Sequence, residues 1–294
     1  MDRVPSRPAE GRPGGLGPHV LDPERRPGRL RRVATYLDAI VAHHRARAGA
    51  DRRDRDEMLL AAASAPAPRP FAEALRSGDR VSVIAEVKRR SPSKGDLAAD
   101  LSPGALAISY AAGGASCLSV LTDEQHFAGS AADLVEARAA VELPVLRKDF
   151  TLGELDVIDA RAMGADAVLL IAAVLSDAEL GSLRQLAAEL GLAALVEVHD
   201  EDELARALAA GASLVGVNRR DLRTFEVDER RAERVVAGIP DGVVKVAESG
   251  VRSSSDVERL ARAGFDAVLV GEALVTSADP ASLVEQLCGV PRCG

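Results

Sequence analysis

Several charged residues stand directly after short runs of Val, Ile, Leu and Ala, where a chain ordinarily leaves a strand. Glu86 and Lys88 close the run that starts at Val81. Lys148 and Asp149 follow VLR, Glu197 sits in LVEV, Asn218 and Arg220 follow LVGV, and Glu248 and Ser249 follow VKVA. Two lysines and three glutamates of this kind make an acid–base set, since an ammonium can donate a proton and a carboxylate can remove one. A charge at the end of an apolar strand is costly unless it is paired or used. The plain alternative is an ion-pair network, and for any one residue taken alone it is the better reading. Chemistry becomes the stronger reading if the fold brings the whole set to one place.

The elements that would position these residues can be read from periodicity. Eight short β-branched runs occur at 81–87, 117–121, 145–147, 167–171, 193–198, 214–217, 243–247 and 267–270. Helical segments lie between them with legible starts: Ser102 before Pro103, Ser176 three before Glu179, and Asp200 three before Glu203. Strand followed by helix, repeated, implies parallel pairing, because parallel neighbours need a crossover. The strings AGGASCLSV (112–120), AMGADAVLL (162–170), AAGASLVGV (209–217) and AGFDAVLV (263–270) each place a glycine before an even-numbered strand. Those glycines, Gly114, Gly164, Gly211 and Gly264, recur about every 50 residues, the length of two strand–helix units. Four such units make an α/β fold of the (β/α)8 TIM-barrel type. A doubly wound open sheet, the competing architecture, has no reason to keep this spacing through the whole chain.

The 294 residues fit one barrel of roughly 250 residues with an N-terminal addition. Val33, Leu37, Ile40 and Val41 predict an amphipathic helix over 33–47, and a second helical stretch spans 58–63 before the Pro-rich segment 66–70. The expected organisation is a disordered Arg/Pro/Gly-rich extension at 1–32, extra helices at 33–80, the barrel at 81–288, and a tail at 289–294. The extension holds eight Arg but no apolar stretch of the kind a secretory signal needs. Hydrophobic residues make up 47% and aromatics only 2%, so the core must be aliphatic. A net charge of −8 argues against nucleic acid as partner. No apolar run is long enough to span a membrane. Three cysteines, Cys117, Cys288 and Cys293, are too few for a disulfide framework and suit a cytoplasmic location. Oligomeric state is not legible.

In a barrel of this class the C-terminal strand ends hold the site, and the loops after the last two strands commonly cradle a phosphate. VAESGV (246–251) and LVGEAL (269–274) place small residues at those two loops, where backbone N–H groups can approach an anion.

At this point the segments IAEVKRRSPSKG (84–95), SVLTDEQHFAGS (119–130), VLRKDF (145–150), LVEVHDEDEL (195–204), GVNRRDL (216–222) and VAESGV resemble, in order, the signatures of indole-3-glycerol phosphate synthases. The resemblance runs from about residue 33 to 287. It implies decarboxylating ring closure of an anthranilate-substituted deoxyribulose phosphate in tryptophan biosynthesis, with no metal or other cofactor and a phosphorylated small molecule as partner. It implies Lys148 as the general acid of ring closure, with Glu197 and Glu86 in proton removal. Lys88 would hold the substrate carboxylate or act as acid in the dehydration. Asn218 and Arg220 would orient substrate and catalytic groups. Ser91, Ser249, Gly250 and Gly271 would lie along the ligand or its phosphate, with Glu248 and Glu272 also among the substrate-binding positions. Pro92, Phe127, Phe150, Leu170 and Leu222 would wall the anthranilate ring.

Other candidates read more blandly. His199 is expected to orient the start of the following helix, and His43, His44 and His126 read as surface or helix residues. Lys245, within the seventh run, leaves open a Schiff-base aldolase on the same fold. An inactive barrel kept as a binding partner is a further alternative, since fold alone does not prove activity.

Overall fold

The computed structural model describes residues 36–92, 94–220 and 228–293. The expected extension at 1–32, the first residues of the helix expected from 33, and Leu222 lie outside the described residues. Three helices come first, α1 (Tyr36–Ala50), α2 (Arg55–Ser64) and α3 (Phe71–Arg76), then strand β1 (Ser82–Val87) and a hairpin of β2 (Arg90–Ser91) and β3 (Gly95–Asp96). There follow α4 (Pro103–Ala112), β4 (Cys117–Leu121), α5 (Glu124–Phe127), α6 (Ala131–Ala140), β5 (Val145–Lys148), α7 (Glu154–Ala162), β6 (Ala167–Ile171) and α8 (Asp177–Glu189). The chain continues through β7 (Ala193–Val198), α9 (Glu201–Ala209), β8 (Leu214–Asn218), α10 (Glu229–Ala237), β9 (Val244–Glu248), α11 (Ser254–Arg262), β10 (Ala267–Val270), α12 (Glu272–Val275) and α13 (Pro280–Cys288).

Eight of these strands close into a parallel barrel in the order β1-β10-β9-β8-β7-β6-β5-β4. The fold is therefore the (β/α)8 barrel expected from the alternation. β4, β6, β7 and β10 coincide with the apolar runs. β5, β8 and β9 each run one residue further than the apolar pattern, so that Lys148, Asn218 and Glu248 are the last residues of their strands. Helix starts are fixed as the sequence suggested: Ser102, Ser176 and Asp200 accept from the backbone N–H groups of Ala105, Glu179 and Glu203. The four repeated glycines take φ of 90°, 86°, 82° and 95°, a conformation open to glycine and strained for residues with a Cβ.

Side chains alternate across each strand, and this sorts the barrel into two cores. Ile84, Cys117, Leu146, Leu169, Leu195, Val246 and Leu269 fill the interior. Val83, Ala85, Val168, Leu170, Val196, Val215 and Val268 face the helix layer. At the N-terminal end α3 stoppers the barrel: Phe71 and Leu75 are buried within the interior cluster, and Ser82 Oγ donates to the Leu75 carbonyl at 3.1 Å. Helix α2 lies along α7, tied by Arg55–Glu154 at 3.0 Å and, from the segment just before it, by Arg53–Asp159 at 2.8 Å. Helix α1 reaches the opposite, C-terminal end, where Leu37 lines the mouth.

Candidate active site

The interior parity that carries Ile84, Leu146, Leu195 and Val246 continues upward to Glu86, Lys148, Glu197 and Glu248. One period-2 pattern thus fills the core and then delivers four charged groups to the same rim. They border a cavity of about 460 Å³ at the C-terminal end of the barrel, a size suited to a small organic ligand. Lys88, Ser91, Pro92, Phe127, Phe150, Asn218, Arg220, Ser249, Gly250, Gly271 and Glu272 border it too.

Lys148 lies at the centre. Its Nζ is 3.0 Å from Glu197 Oε2 and 3.2 Å from Glu248 Oε2. Burial works to lower its pKa, but the field of Glu197, Glu248 and Glu86 outweighs it and holds the ammonium well above its ordinary value. Burial likewise opposes ionisation of Glu197, yet Lys148, His199 and the Asn218 amide bring its pKa down to about 2. Asn218 Nδ2 donates to Glu197 Oε1 at 3.0 Å, and Asn218 Oδ1 accepts from Ser249 Oγ at 2.9 Å and from the Arg220 N–H at 3.1 Å. Glu248 has no such support. Its Oε1 has no hydrogen-bond partner among the described residues, and burial, with Glu197 adding to it against the pull of Lys148, pushes the carboxyl up to about 7. Burial and a like-charged neighbour thus set Glu248 apart from Glu197, a difference the sequence does not show.

Glu86 forms a second pair, with Lys88 Nζ at 2.7 Å, and accepts from Ser119 Oγ at 3.4 Å. Two glycines make room for these carboxylates. A Cβ at Gly271 would collide with the Glu86 carboxylate, and one at Gly216 with that of Glu248. Over the rim lies the β2–β3 hairpin, tied across the mouth by Lys94 Nζ to Glu272 Oε1 at 2.6 Å.

On the far side of the mouth Ser249 takes φ 70°, one of two described non-glycine residues in the left-handed region. Arg219, almost wholly buried, holds it there by donating Nε, at 3.0 Å, and Nη2 to the Ser249 carbonyl. Sequence reading missed Arg219, because the first arginine of NRRDL has no local pattern that marks it as buried. In a trans peptide the C=O and the next N–H point in opposite directions. Drawing the Ser249 carbonyl toward Arg219 therefore orients the Gly250 N–H the other way.

Three expectations need correction. Leu170 faces the helix layer, one residue out of phase with the interior; Leu169 and Ile171, with Leu121, are the aliphatic walls instead. Lys245 is likewise out of phase with Val244, Val246 and Glu248 and does not border the cavity, which removes the Schiff-base aldolase reading. Asp149 is a structural group, paired with Arg147 at 2.9 Å and Thr122 Oγ1 at 2.6 Å. His44, read as a surface or helix residue, lies on α1 and is buried, with Nε2 2.7 Å from Asp123 Oδ2. His199 does orient the next helix, since its N–H donates to Glu203 Oε2 at 2.8 Å and its Nδ1 lies 3.0 Å from the same oxygen.

The family model for indole-3-glycerol phosphate synthase matches residues 37–287. The synthase of Leifsonia xyli subsp. xyli is 54% identical over 254 residues, spanning 86% of this chain and 97% of that one. Indole-3-glycerol phosphate synthase 1 of Streptomyces coelicolor is 53% identical over 256 residues, 86% and 94% of the two chains. Among solved structures, thiamine phosphate pyrophosphorylase from Pyrococcus furiosus (TM-score 0.54, 16% identity, 71% of this chain and 94% of that one) shares the fold. So does 3-hexulose-6-phosphate synthase (TM-score 0.52, 18% identity, 70% and 97%). With an acid–base rim at the mouth of a (β/α)8 barrel and these sequence matches across most of its length, the chain belongs to the indole-3-glycerol phosphate synthase family.

Proposed function

We propose that this carbon–carbon lyase converts 1-(2-carboxyphenylamino)-1-deoxyribulose 5-phosphate into indole-3-glycerol phosphate, carbon dioxide and water, with Lys148 as the acid of ring closure. The observation that carries the proposal is the position of Lys148 Nζ, between Glu197 and Glu248 at the centre of the cavity mouth. Attack of the carboxylate-bearing ring carbon on the ketone leaves charge on the carbonyl oxygen, and a positioned ammonium can protonate it as the bond forms. Loss of carbon dioxide restores electrons to the ring. Loss of the new hydroxyl as water then needs an acid at the oxygen and a base for a proton. Lys88 supplies the acid, or alternatively the anchor for the substrate carboxylate; Glu197 and Glu86 are the bases, and Asn218 holds Glu197 in place.

The cavity divides to suit such a molecule. Phe127, Phe150, Leu121, Leu169 and Ile171 offer an apolar slot for the aryl ring, beside Pro92 and Ser91. Ser249, Gly250 and Gly271 offer the small-residue rim for the phosphate. Arg220 borders the same cavity, its N–H on Asn218 Oδ1. No helix among the described residues is long and apolar enough to cross a membrane. A freely diffusing phosphorylated substrate and three unbridged cysteines fit a cytoplasmic enzyme.

The test is Lys148→Ala, followed by the fluorescence of the indole product. A general acid is worth roughly 10² to 10⁴ in rate, so kcat should fall by about that factor while KM changes far less. If KM rises and kcat stays near wild type, Lys148 is an anchor and the acid is Lys88. Wild-type protein that binds the substrate without turning it over would establish an inactive barrel.

A further inference from the structure

Away from the acid–base rim, three of the five histidines of the chain gather at one spot. His44 Nε2, on α1, and His126 Nδ1, on α5, point at the same carboxylate oxygen, Asp123 Oδ2, at 2.7 and 3.0 Å. These three ligand atoms lie within 4.8 Å of one another. His44 and Asp123 are buried and His126 is nearly so. Next to His44 on the same helix, the exposed ring of His43 lies 5.5 Å from that of His44 and 5.6 Å from that of His126. His43 and His44 open onto a cleft also lined by Thr122, Asp123 and Glu124.

We propose that His44, Asp123 and His126 form a binding site for a zinc-type divalent transition metal ion, with His43 or water completing the coordination. Two imidazoles and one carboxylate suit zinc and its neighbours rather than magnesium or calcium, which take oxygen ligands. The geometry is close to what the ion needs. Ligand atoms around tetrahedral zinc stand roughly 3.3 Å apart, so each ring must part from the carboxylate by roughly half an ångström while the two ring nitrogens, within 4.8 Å of each other, close to that spacing.

Protons balance without release. With neutral rings each contact is an N–H donating to Oδ2. On metal binding each ring moves its proton to its other nitrogen and offers the freed lone pair. In His44 that other nitrogen, Nδ1, is buried and has no hydrogen-bond partner among the described residues. It is unsatisfied as an acceptor before binding and as a donor afterwards, so the exchange leaves its cost nearly unchanged. Asp123 Oδ2 already faces both ring nitrogens, so the carboxylate needs no rotation to ligate. Its other oxygen, Oδ1, stays on the His126 N–H at 2.6 Å and caps α5.

The ion would cross-link α1 to the start of α5, and α5 carries Phe127 to the mouth cavity. The His44 ring also stacks against Phe150, with centroids 5.1 Å apart. Zinc should therefore stiffen the apolar side of the mouth and raise the melting temperature of the folded protein.

The test uses full-length protein stripped with a chelator and dialysed. Cobalt is titrated in as a visible-absorbing probe and then displaced with zinc. One ion per chain is expected, with the absorption bands of a four-coordinate nitrogen and oxygen site and a dissociation constant below about 10 µM, as suits three protein ligands. His44→Gln and His126→Gln should each weaken binding at least tenfold or so, whereas Cys293→Ser should leave it unchanged. Long-range ¹⁵N spectra of the wild-type histidines give a readout that needs no variant: zinc should shift His44 Nε2 and His126 Nδ1. The proposal is overturned by the absence of saturable binding, by binding that survives both histidine variants, by thiolate bands lost in Cys293→Ser, or by zinc that leaves both ring nitrogens unmoved.

Discussion

Replacing Glu248 with glutamine should make the protein more stable relative to wild type as the pH rises. The rim holds three carboxylates, Glu86, Glu197 and Glu248, against two ammonium groups. Lys88 serves Glu86 at 2.7 Å and Lys148 is shared by the other two at 3.0 and 3.2 Å. Asn218 adds a hydrogen bond to Glu197 and none to Glu248, so Glu248 bears the imbalance and its pKa moves from 4.5 to about 7. A carboxyl whose pKa is higher in the folded state binds more protons there. Its stabilising contribution is complete below 4.5 and is lost as pH rises through 7. A pKa difference of about 2.5, at about 1.4 kcal/mol each, amounts to roughly 3 kcal/mol, most of which falls between pH 5 and 8.5. Glu197 moves the other way, to about 2, and its window lies below that of Glu248. Glutamine cannot titrate. The amide leaves one buried polar atom unsatisfied, which costs about 1 kcal/mol but shifts the difference equally at every pH. Urea unfolding of wild type and Glu248→Gln from pH 5 to 8.5 reads the change directly: the gap should move in favour of the variant by on the order of 2 kcal/mol. A constant gap, or one that moves against the variant as pH rises, would refute the reasoning. If Glu248 also exchanges a proton during turnover, the limb near pH 7 in kcat/KM should vanish with it.

Arg219→Met removes the clamp on the Ser249 carbonyl and should raise KM about tenfold with a smaller effect on kcat, since a phosphate contact is present in ground and transition states alike; a fall in kcat at unchanged KM would place Arg219 elsewhere in the mechanism. Gly271→Ala puts a Cβ into the Glu86 carboxylate and toward Lys88 Nζ, 3.0 Å away, so turnover should collapse in a protein that still folds. Wild-type turnover there would show the Glu86–Lys88 pair to be dispensable. Leu75→Ala empties part of the stopper at the N-terminal end and should cost about 2–5 kcal/mol in urea unfolding while kcat at 25 °C holds, because Leu75 lies at the end opposite the rim.

What the sequence made legible follows from distance along the chain. β4, β6, β7 and β10 could be bounded to the residue because each apolar run is short and lies between segments of helical pattern. The rim charges could be found because each ends or interrupts an otherwise apolar run. Leu170 was misplaced since a continuous apolar strand hides its parity, and only the neighbouring strands reveal it. The six-residue helix α3 and the two-residue strands of the hairpin are too short to show a period. His44 and Asp123, 79 residues apart, share no local pattern at all, and neither do Arg219 and Ser249 at 30. Pairings of that kind are made by barrel closure, not by spacing.

The division of each barrel strand into inward and outward residues bears on how such an enzyme can change over evolutionary time. Reactive groups and scaffold alternate along one thread, one position apart, yet they face different surroundings. Outward positions such as Val83, Val168 and Leu170 can drift with the helices that cover them and leave the reaction alone. Insertions are another matter. One extra residue inside β5 would bring Arg147 inward in place of Lys148 and turn both layers of that strand inside out at once. Descendants of this chain should therefore show length variation between strands and almost none within them, so that new substrates are reached by rebuilding loops around an inherited rim.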